Sequence, residues 1–596
     1  MSVTNTQFIN NDSYEKGSIY IDEDDADVTF TGCLFKNNYT TGSNYVSVFS
    51  TGSDLSIIDC VFLNNEDNVF GGSQYNNTSA NISVLNSIAW GNVLISSDTW
   101  QNMNVTATYS CIEGGYAGTG NTSSDPDFCN PFDSDLTLPQ SSPCVGTGWY
   151  NENMGGLAVG CSESMTTFYV DEDGQDDGVG TLDDPLSSIS NSMTDISSGD
   201  TVIVYPGTYA GNVNYEGKSI VLASRILESG NEAYTDSTII EGIVTISDGV
   251  DSTALFSGFT ITGDHNNRGL NVYSDHNVMI DHIKVIGVGG MQFSSAVATL
   301  RDVVIKNNTL NGDGCGIHIY NSTIDFVNVV IDSNTNTGSS GGGVYVNSSQ
   351  VTMDSVQITN NISDYSGGGI YTYSNSTLTI TNGSITGNST SGNGGGISNG
   401  ENCTLSLINV NVDSNSSGNG GGLYNNNGHY TATLSTFNSN TASNDAGGIY
   451  SLSGSAEDDA DTLYQCTISF NQANNNGGGI YIDNYQDLYA VNTLISDNIA
   501  NYDENGNDYG GGIVASTATN AGYSDFINCT IANNSVNGDN SYGGGFSQDD
   551  GGNHRFTNTI IWHNQAATGP NIYASYDHVT SNIGGDGTTL DTDPLF

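Results

Sequence analysis

Residues 367 to 423 read GGGIYTYSNSTLTITNGSITGNSTSGNGGGISNGENCTLSLINVNVDSNSSGNGGGL, and two markers recur in them at one spacing. A glycine triplet followed by an apolar residue stands at Gly367, Gly394 and Gly420, and an Asn closes a short apolar run at Asn388 and Asn415. Between the markers, STLTITNGSITGN (376–388) and CTLSLINVNVDSN (403–415) alternate apolar and polar residues. That period of two belongs to strands with one buried face, and no helical period competes with it.

Outward from this stretch the glycine marker recurs at Gly314, Gly341, Gly447, Gly477, Gly510 and Gly543. The steps from Gly314 to Gly420 are nearly equal, so one repeat takes roughly 27 residues, within the range of solenoid coils. The Asn marker keeps the same register at Asn308, Asn334, Asn361, Asn440, Asn471, Asn498, Asn534 and Asn564. A unit of this size cannot bury its own apolar face, so each coil must stack on its neighbours and the sheets must be parallel. The expected fold class is all-β, a right-handed parallel β-helix solenoid with two modules in tandem. The Asn residues are expected at left-handed corners, with each amide bonded to its equivalent one coil away for about 1 kcal/mol net. The glycines are expected where a Cβ would clash. About fifteen coils after residue 199, at about 4.8 Å each, would make a rod of roughly 70 Å.

Composition agrees with a solenoid rather than a disordered chain, since 75 Gly accompany 36% hydrophobic residues across 596 positions. Nine Lys and Arg against 65 Asp and Glu give a formal charge of −56. Nucleic acid and anionic membranes are excluded as partners, and cations are favoured. No apolar run reaches membrane-spanning length, so no direct membrane insertion is expected.

The GGGI and GGGV clusters, paired with F-x-x-N at Phe8 to Asn11, Phe35 to Asn38, Phe62 to Asn65 and Phe437 to Asn440, resemble the repeats of polymorphic outer membrane protein adhesins. More broadly the coils resemble the pectin-lyase-like superfamily of right-handed β-helices, over nearly the whole chain. The resemblance implies a secreted, extracellular or cell-surface protein, either an adhesive scaffold or a polysaccharide lyase or glycoside hydrolase. Lyases of this kind need a basic side chain near calcium, yet no Lys or Arg occurs between Lys306 and Arg555. The paired Asp, G-H-G and Arg-x-Lys of polygalacturonase-like hydrolases are absent as well. Asp313 and His318 read as ordinary turn and surface residues. The expectation is therefore a scaffold with no catalytic residues and no organic cofactor.

Residues 168 to 223 resemble the N-terminal cap of such a helix, with a short helix at 187–196 and a first strand at 201–205. NSIAWGN at 86–92 recurs as NTIIWHN at 558–564, and DPDF at 125–128 recurs as DPLF at 593–596, with nearly equal offsets (558 − 86 = 472 and 593 − 125 = 468). Residues 1–161 are thus expected to be the C-terminal part of a first module with its closing loop, and 162–596 a second module cut near its own end. The expected partners are neighbouring modules or copies of the chain end to end, and glycans or a neighbouring cell surface. Cys111, Cys129, Cys144 and Cys161 fall in or beside the closing loop, where a staple between Cys129 and Cys144 competes with reduced thiols. Cys33 and Cys60 stand one coil apart and are expected to stack inside.

Two acidic stretches are candidate calcium sites. Asp171, Asp173, Asp176 and Asp177 in DEDGQDDG put carboxylates on a glycine-broken loop, as a hard cation requires. Asp503, Asn505, Asn507 and Asp508 lie in an insertion that lengthens one coil, beside Tyr502, Tyr509 and Tyr542, which are candidates for stacking on sugars.

Overall fold

A computed structural model describes all residues other than 10, 14–18, 22–26, 41–45, 51–53, 66–67, 73–79, 93–102, 127, 129–135, 141, 162–166, 176–177, 183, 248, 265–266, 454–459, 501–507, 517–522, 549–552, 575–578 and 583–596. Strands dominate, the ladders among the described residues are parallel, and the fold is the right-handed parallel β-helix expected from the repeats. The chain forms two compact units, Met1–Gly207 with Ile220–Ser237, and Thr208–Ser219 with Thr238–Phe596. The boundary expected between 161 and 162 falls inside the first unit, so compactness and sequence repetition divide the chain at different points.

In the second unit one coil runs through Thr323–Val327 on a first face and Val330–Asp332 on a second. It continues through the two-residue strand Thr335–Asn336 and a glycine turn at Gly341 to Val344–Asn347 on a third face. The next coil repeats this with Gln350–Asp354, Gln357–Thr359, Ile362–Ser363 and Ile370–Tyr373, each in register with its predecessor. Inward positions carry branched apolar residues in columns. Ile305, Ile331, Ile358, Ile385, Val412 and Phe437 succeed one another in register on the second face, each 0% exposed. β-Branched side chains pack well at the fixed spacing of adjacent strands, which is why alternation in the sequence reads out as burial.

The first unit repeats the design. Ser2–Thr4, Val28–Thr31, Leu55–Ile58, Ala80–Leu85 and Met103–Thr108 form one parallel sheet, and Gln7–Ile9, Leu34–Lys36, Val61–Leu63, Ile88–Trp90 and Cys111–Ile112 another. Phe8, Phe35 and Phe62 stack ring on ring at 4.9 and 4.5 Å. The expected short helix is present as Ile189–Asp195, with the Ser188 hydroxyl accepting from the Asn191 amide, and the first strand as Thr201–Val204.

The Asn ladder exists, but its backbone differs from expectation. The left-handed residue is the one before each ladder Asn: Asn307, Ser333, Asn360, Gly387 and Ser414 have φ between 55° and 69°, whereas Asn308, Asn334, Asn361, Asn388 and Asn415 are not left-handed. Left-handed backbone aims the following side chain inward beneath the corner, where the turn leaves backbone groups without ladder partners. The amide fills both vacancies. Asn388 accepts at Oδ1 from the backbone and side-chain nitrogens of Asn361 at 2.9 and 3.0 Å, and its Nδ2 donates to the Ile358 carbonyl at 2.8 Å and to Asn415 Oδ1 at 3.1 Å. Each ladder Asn therefore joins three successive coils, and these residues are fully buried.

The glycine turn meets its expected constraint directly. A Cβ on Gly368 would lie 2.5 Å from the Gly395 carbonyl oxygen, while Gly367 takes φ +64°. At the start of this glycine column, Arg268 donates to the carbonyls of Gly289 at 2.9 Å, Gly314 and Asp313. Burial lowers its pKa to about 10.

Replacing Asn388 by Ala removes the partner of the Asn361 backbone N–H, one of the two acceptors of the Asn361 Nδ2, and the Asn388 donor to the Ile358 carbonyl, and costs about 3 kcal/mol in chemical denaturation. A midpoint equal to the wild type would show that the column is not held by these bonds.

His554 supplies a pH-dependent contribution. It is 1% exposed, faces Phe546 at 5.3 Å, and burial lowers its pKa from 6.5 to about 4. The unfolded chain takes up this proton as pH falls through 6.5 while the folded one resists until about 4. Stability from the neutral ring is therefore complete above that range and is lost as pH falls through it. The loss of melting temperature between pH 7 and 5 should be smaller in His554→Leu than in the wild type; an equal loss would place the acid sensitivity elsewhere.

Candidate functional site

The candidate calcium residues divide. Asp171 and Asp173 lie on the strand Thr167–Gln175, not on a broken loop, with the Asp173 amide donating to Asp171 Oδ1 at 3.1 Å. Thr167–Val170 pair in parallel with Thr201–Val204, and the strand runs on past that pairing through Gly174 to Gln175. Asp176 and Asp177 lie outside the described residues, as do Asp503, Asn505, Asn507 and Tyr502. Asp508 is buried at the foot of its insertion, 7% exposed, and its carbonyl accepts from the Tyr542 amide at 3.1 Å. Tyr509 and Tyr542 stack on each other at 5.1 Å, so they occupy the ring faces a sugar would need.

The second acidic feature is how little of the charge is met by basic residues. Carboxylates on the corners and outward faces instead face donors one coil away. Asn328 Nδ2 donates to Asp302 at 2.5 Å, Asn382 Nδ2 to Asp354 at 3.0 Å, Thr359 Oγ1 to Asp332 at 2.7 Å and Thr436 Oγ1 to Asp413 at 3.1 Å. Amide and hydroxyl donors thus offset repulsion that parallel stacking of like charges would create.

One titratable group was not foreseen. Asp281, His282 and Asp302 offer ligand atoms that all lie within 4.8 Å of one another. Asp281 ends the strand Asn277–Asp281 and is in register with Arg301, while His282 and Asp302 take the left-handed corner positions that follow. His282 Nδ1 lies 2.8 Å from Asp281 Oδ2, His282 Nε2 lies 3.9 Å from Asp302, and Arg301 Nε lies 2.8 Å from Asp281 Oδ1. These partners hold the Asp281 pKa below its usual value against the opposing effect of burial. A divalent cation would have to displace Arg301, so the group is an ion-paired Asp–His dyad with a guanidinium beside it. Spacing could have found it, because Asp281-His282 and Arg301-Asp302 stand one short coil apart.

The third feature is a polar groove. Asn321, Ser348, Gln350, Asn375 and Thr377 line a depression of about 360 Å³ where the third face turns into the first. Tyr320 directly precedes Asn321, and Tyr373 stands two residues before Asn375. The two tyrosines are in register two coils apart, with Asn347 between them, and each is 46% exposed. All three residues follow the first glycine of their coil by six positions, a signal present in the sequence. The neighbouring column runs His318, Tyr345 and Tyr371 at 5.3 Å per step. His318 is half-buried there rather than an ordinary surface residue, and burial together with the Arg268 charge lowers its pKa to about 4.

No family model matches the chain, and no curated protein matches it. Similar solved structures include a pectate lyase, 15% identical over 64% of this chain and 78% of that one, with a TM-score of 0.30. Others are the A-module of the Azotobacter vinelandii mannuronan C-5 epimerase AlgE6, at 13% identity, 66% and 93% coverage and a TM-score of 0.29, and the catalytic unit of an α-1,3-glucanase from Streptomyces thermodiastaticus, at 12%, 71%, 71% and 0.23. At these identities no residue role passes from those proteins to this chain.

Proposed function

We propose that the chain is an extracellular β-helical scaffold that binds neutral glycan along the groove beside Tyr320 and Tyr373. The observation that carries this reading is the pair of exposed tyrosines two coils apart over a lining of amides and hydroxyls. Aromatic rings offer apolar faces to sugar C–H surfaces, and the amides and hydroxyls between them match sugar hydroxyls. A net charge of −56 disfavours polyanionic glycans unless cations intervene. Neighbouring modules or further copies are the proposed end-to-end partners. Replacing both tyrosines by Ala should weaken retention on neutral polysaccharide gels by about ten-fold or more, with the melting curve unchanged. Equal retention of wild type and variant would remove the groove from glycan binding.

A second reading, catalysis on a carbohydrate, is favoured by the His282 geometry alone. His282 Nδ1 lies against Asp281 and Nε2 faces Asp302 at 3.9 Å, an arrangement that holds an imidazole between two carboxylates, and Arg301 is 50% exposed beside it to meet a substrate anion. Release of shortened or unsaturated sugar by the wild type and not by His282→Gln would assign an enzyme; glycan bound and recovered intact supports the scaffold.

The same proposal includes structural calcium at Asp171, Asp173, Asp176 and Asp177, and at Asp503, Asn505, Asn507 and Asp508. A cation that binds only the folded chain stabilises it by an amount that grows with the logarithm of its excess over the dissociation constant. Chelation should therefore lower the melting temperature by several degrees and added calcium should restore it. Identical curves with and without chelator would leave the interstrand donors as the compensation for the charge.

A further inference from the structure

The closing loop of the first unit brings together two cysteines, Cys111 and Cys144, that lie well apart in the sequence. Cys111 lies on the short strand Cys111–Ile112, and Cys144 lies in the loop that packs over that face. Both are 0% exposed and share one core cluster with Val61, Ile88, Leu138 and Met154. The Cys111 thiol neighbours that of Cys144 in this cluster and donates to the Ser124 carbonyl at 3.1 Å. The loop is seated by backbone bonds, Gly155 N to the Asn86 carbonyl at 2.6 Å and Met154 N to the Cys144 carbonyl at 2.9 Å, and by Trp149 N on Asn86 Oδ1 at 3.1 Å.

The other described cysteines are arranged differently. Cys33 and Cys60 stack one coil apart as expected, with the Cys33 amide directed at the Cys60 sulfur at 3.4 Å, but each thiol donates to its own strand, to Thr31 and Ile58. Cys466 and Cys529 donate to Tyr464 and Ile527 in the same way.

We propose that Cys111 and Cys144 form a disulfide that locks the closing loop onto the last coils of the first unit. The reaction is Cys111–SH + Cys144–SH + RS–SR → Cys111–S–S–Cys144 + 2 RSH, with a low-molecular-weight disulfide as oxidant. Two electrons and both protons pass to the released thiols. The neighbouring Cys144 thiol and burial raise the Cys111 pKa, so Cys111 holds little thiolate once the loop is docked and exchanges slowly. The bond therefore forms while the loop is open, during folding, and the compartment in which the chain folds decides whether it is present. Its occurrence in the cell rests on the extracellular reading above; the chemistry of the pair does not.

The full chain, reduced and unfolded, is refolded once in a glutathione redox buffer and once with a phosphine reductant. It is then denatured, alkylated and mapped by peptide mass spectrometry without reduction. The expected result is a Cys111–Cys144 linked peptide in the first sample only, with a melting temperature several degrees above that of the second. Cys111→Ser should abolish both the linked peptide and the difference between the two samples, and Cys129→Ser should leave both in place. A link between Cys129 and Cys144, or complete alkylation of Cys111 and Cys144 after oxidative refolding, would overturn the proposal. Either outcome leaves the extracellular reading where it stood.

Discussion

The bond from one buried Asn to the next is the interaction on which the rest of the β-helix depends. A corner that turns through left-handed backbone takes peptide groups out of the sheet, and a buried peptide group without a partner costs more than an ordinary hydrogen bond returns. The carboxamide has one acceptor and two donors, the set needed to serve the backbone of the coils on either side and still meet its own copy. Aspartate would place an unpaired charge in the core and Ser would reach only one partner. The column from Asn308 to Asn564 therefore holds coil to coil along the second unit, and the column Asn11, Asn38, Asn65 and Asn92 does so in the first.

Once the interior is held this way, the outward positions are released from packing and carry the chemistry. Stacking places each outward residue about 4.8 Å from its equivalents, so a repeated carboxylate would repel itself along the whole column. The chain alternates instead, with Asp302 below Asn328, Asp325 below Thr352 and Asp354 below Asn382. This alternation makes an acidic surface compatible with few basic residues. It also explains why the exceptions are informative. Where Arg301 and Arg555 do appear they lie on buried or nearly buried carboxylates, Asp281 and Asp525, which amide donors alone do not serve.

The same regularity localises recognition. A solenoid surface is uniform unless a column is interrupted, and the groove arises at such an interruption, where Asn347 stands between Tyr320 and Tyr373. The Tyr509, Tyr542 and Tyr573 cluster is uninterrupted and its rings face one another, at 5.1 and 4.8 Å.

Periodicity alone determined the fold class, the register of the coils and the identity of the inward columns, because a short, nearly constant repeat with alternating polarity has one physical solution in stacked parallel strands. It also located the Asn column and the stacked Cys33 and Cys60, while the resemblance to a β-helix cap placed the short helix. Tertiary structure decided what lies between equivalent positions. The left-handed corner moved to the residue before each Asn, because the amide has to point inward to reach three coils. Asp171 and Asp173 continue a strand whose first half, Thr167–Val170, pairs with Thr201–Val204, which no local pattern records. The Asp281, His282, Arg301 and Asp302 group and the Cys111 and Cys144 pair join residues from different coils or from coil and loop. Their proximity follows from the exact length of the intervening turns, and turn length is set by three-dimensional closure rather than by the residues that meet.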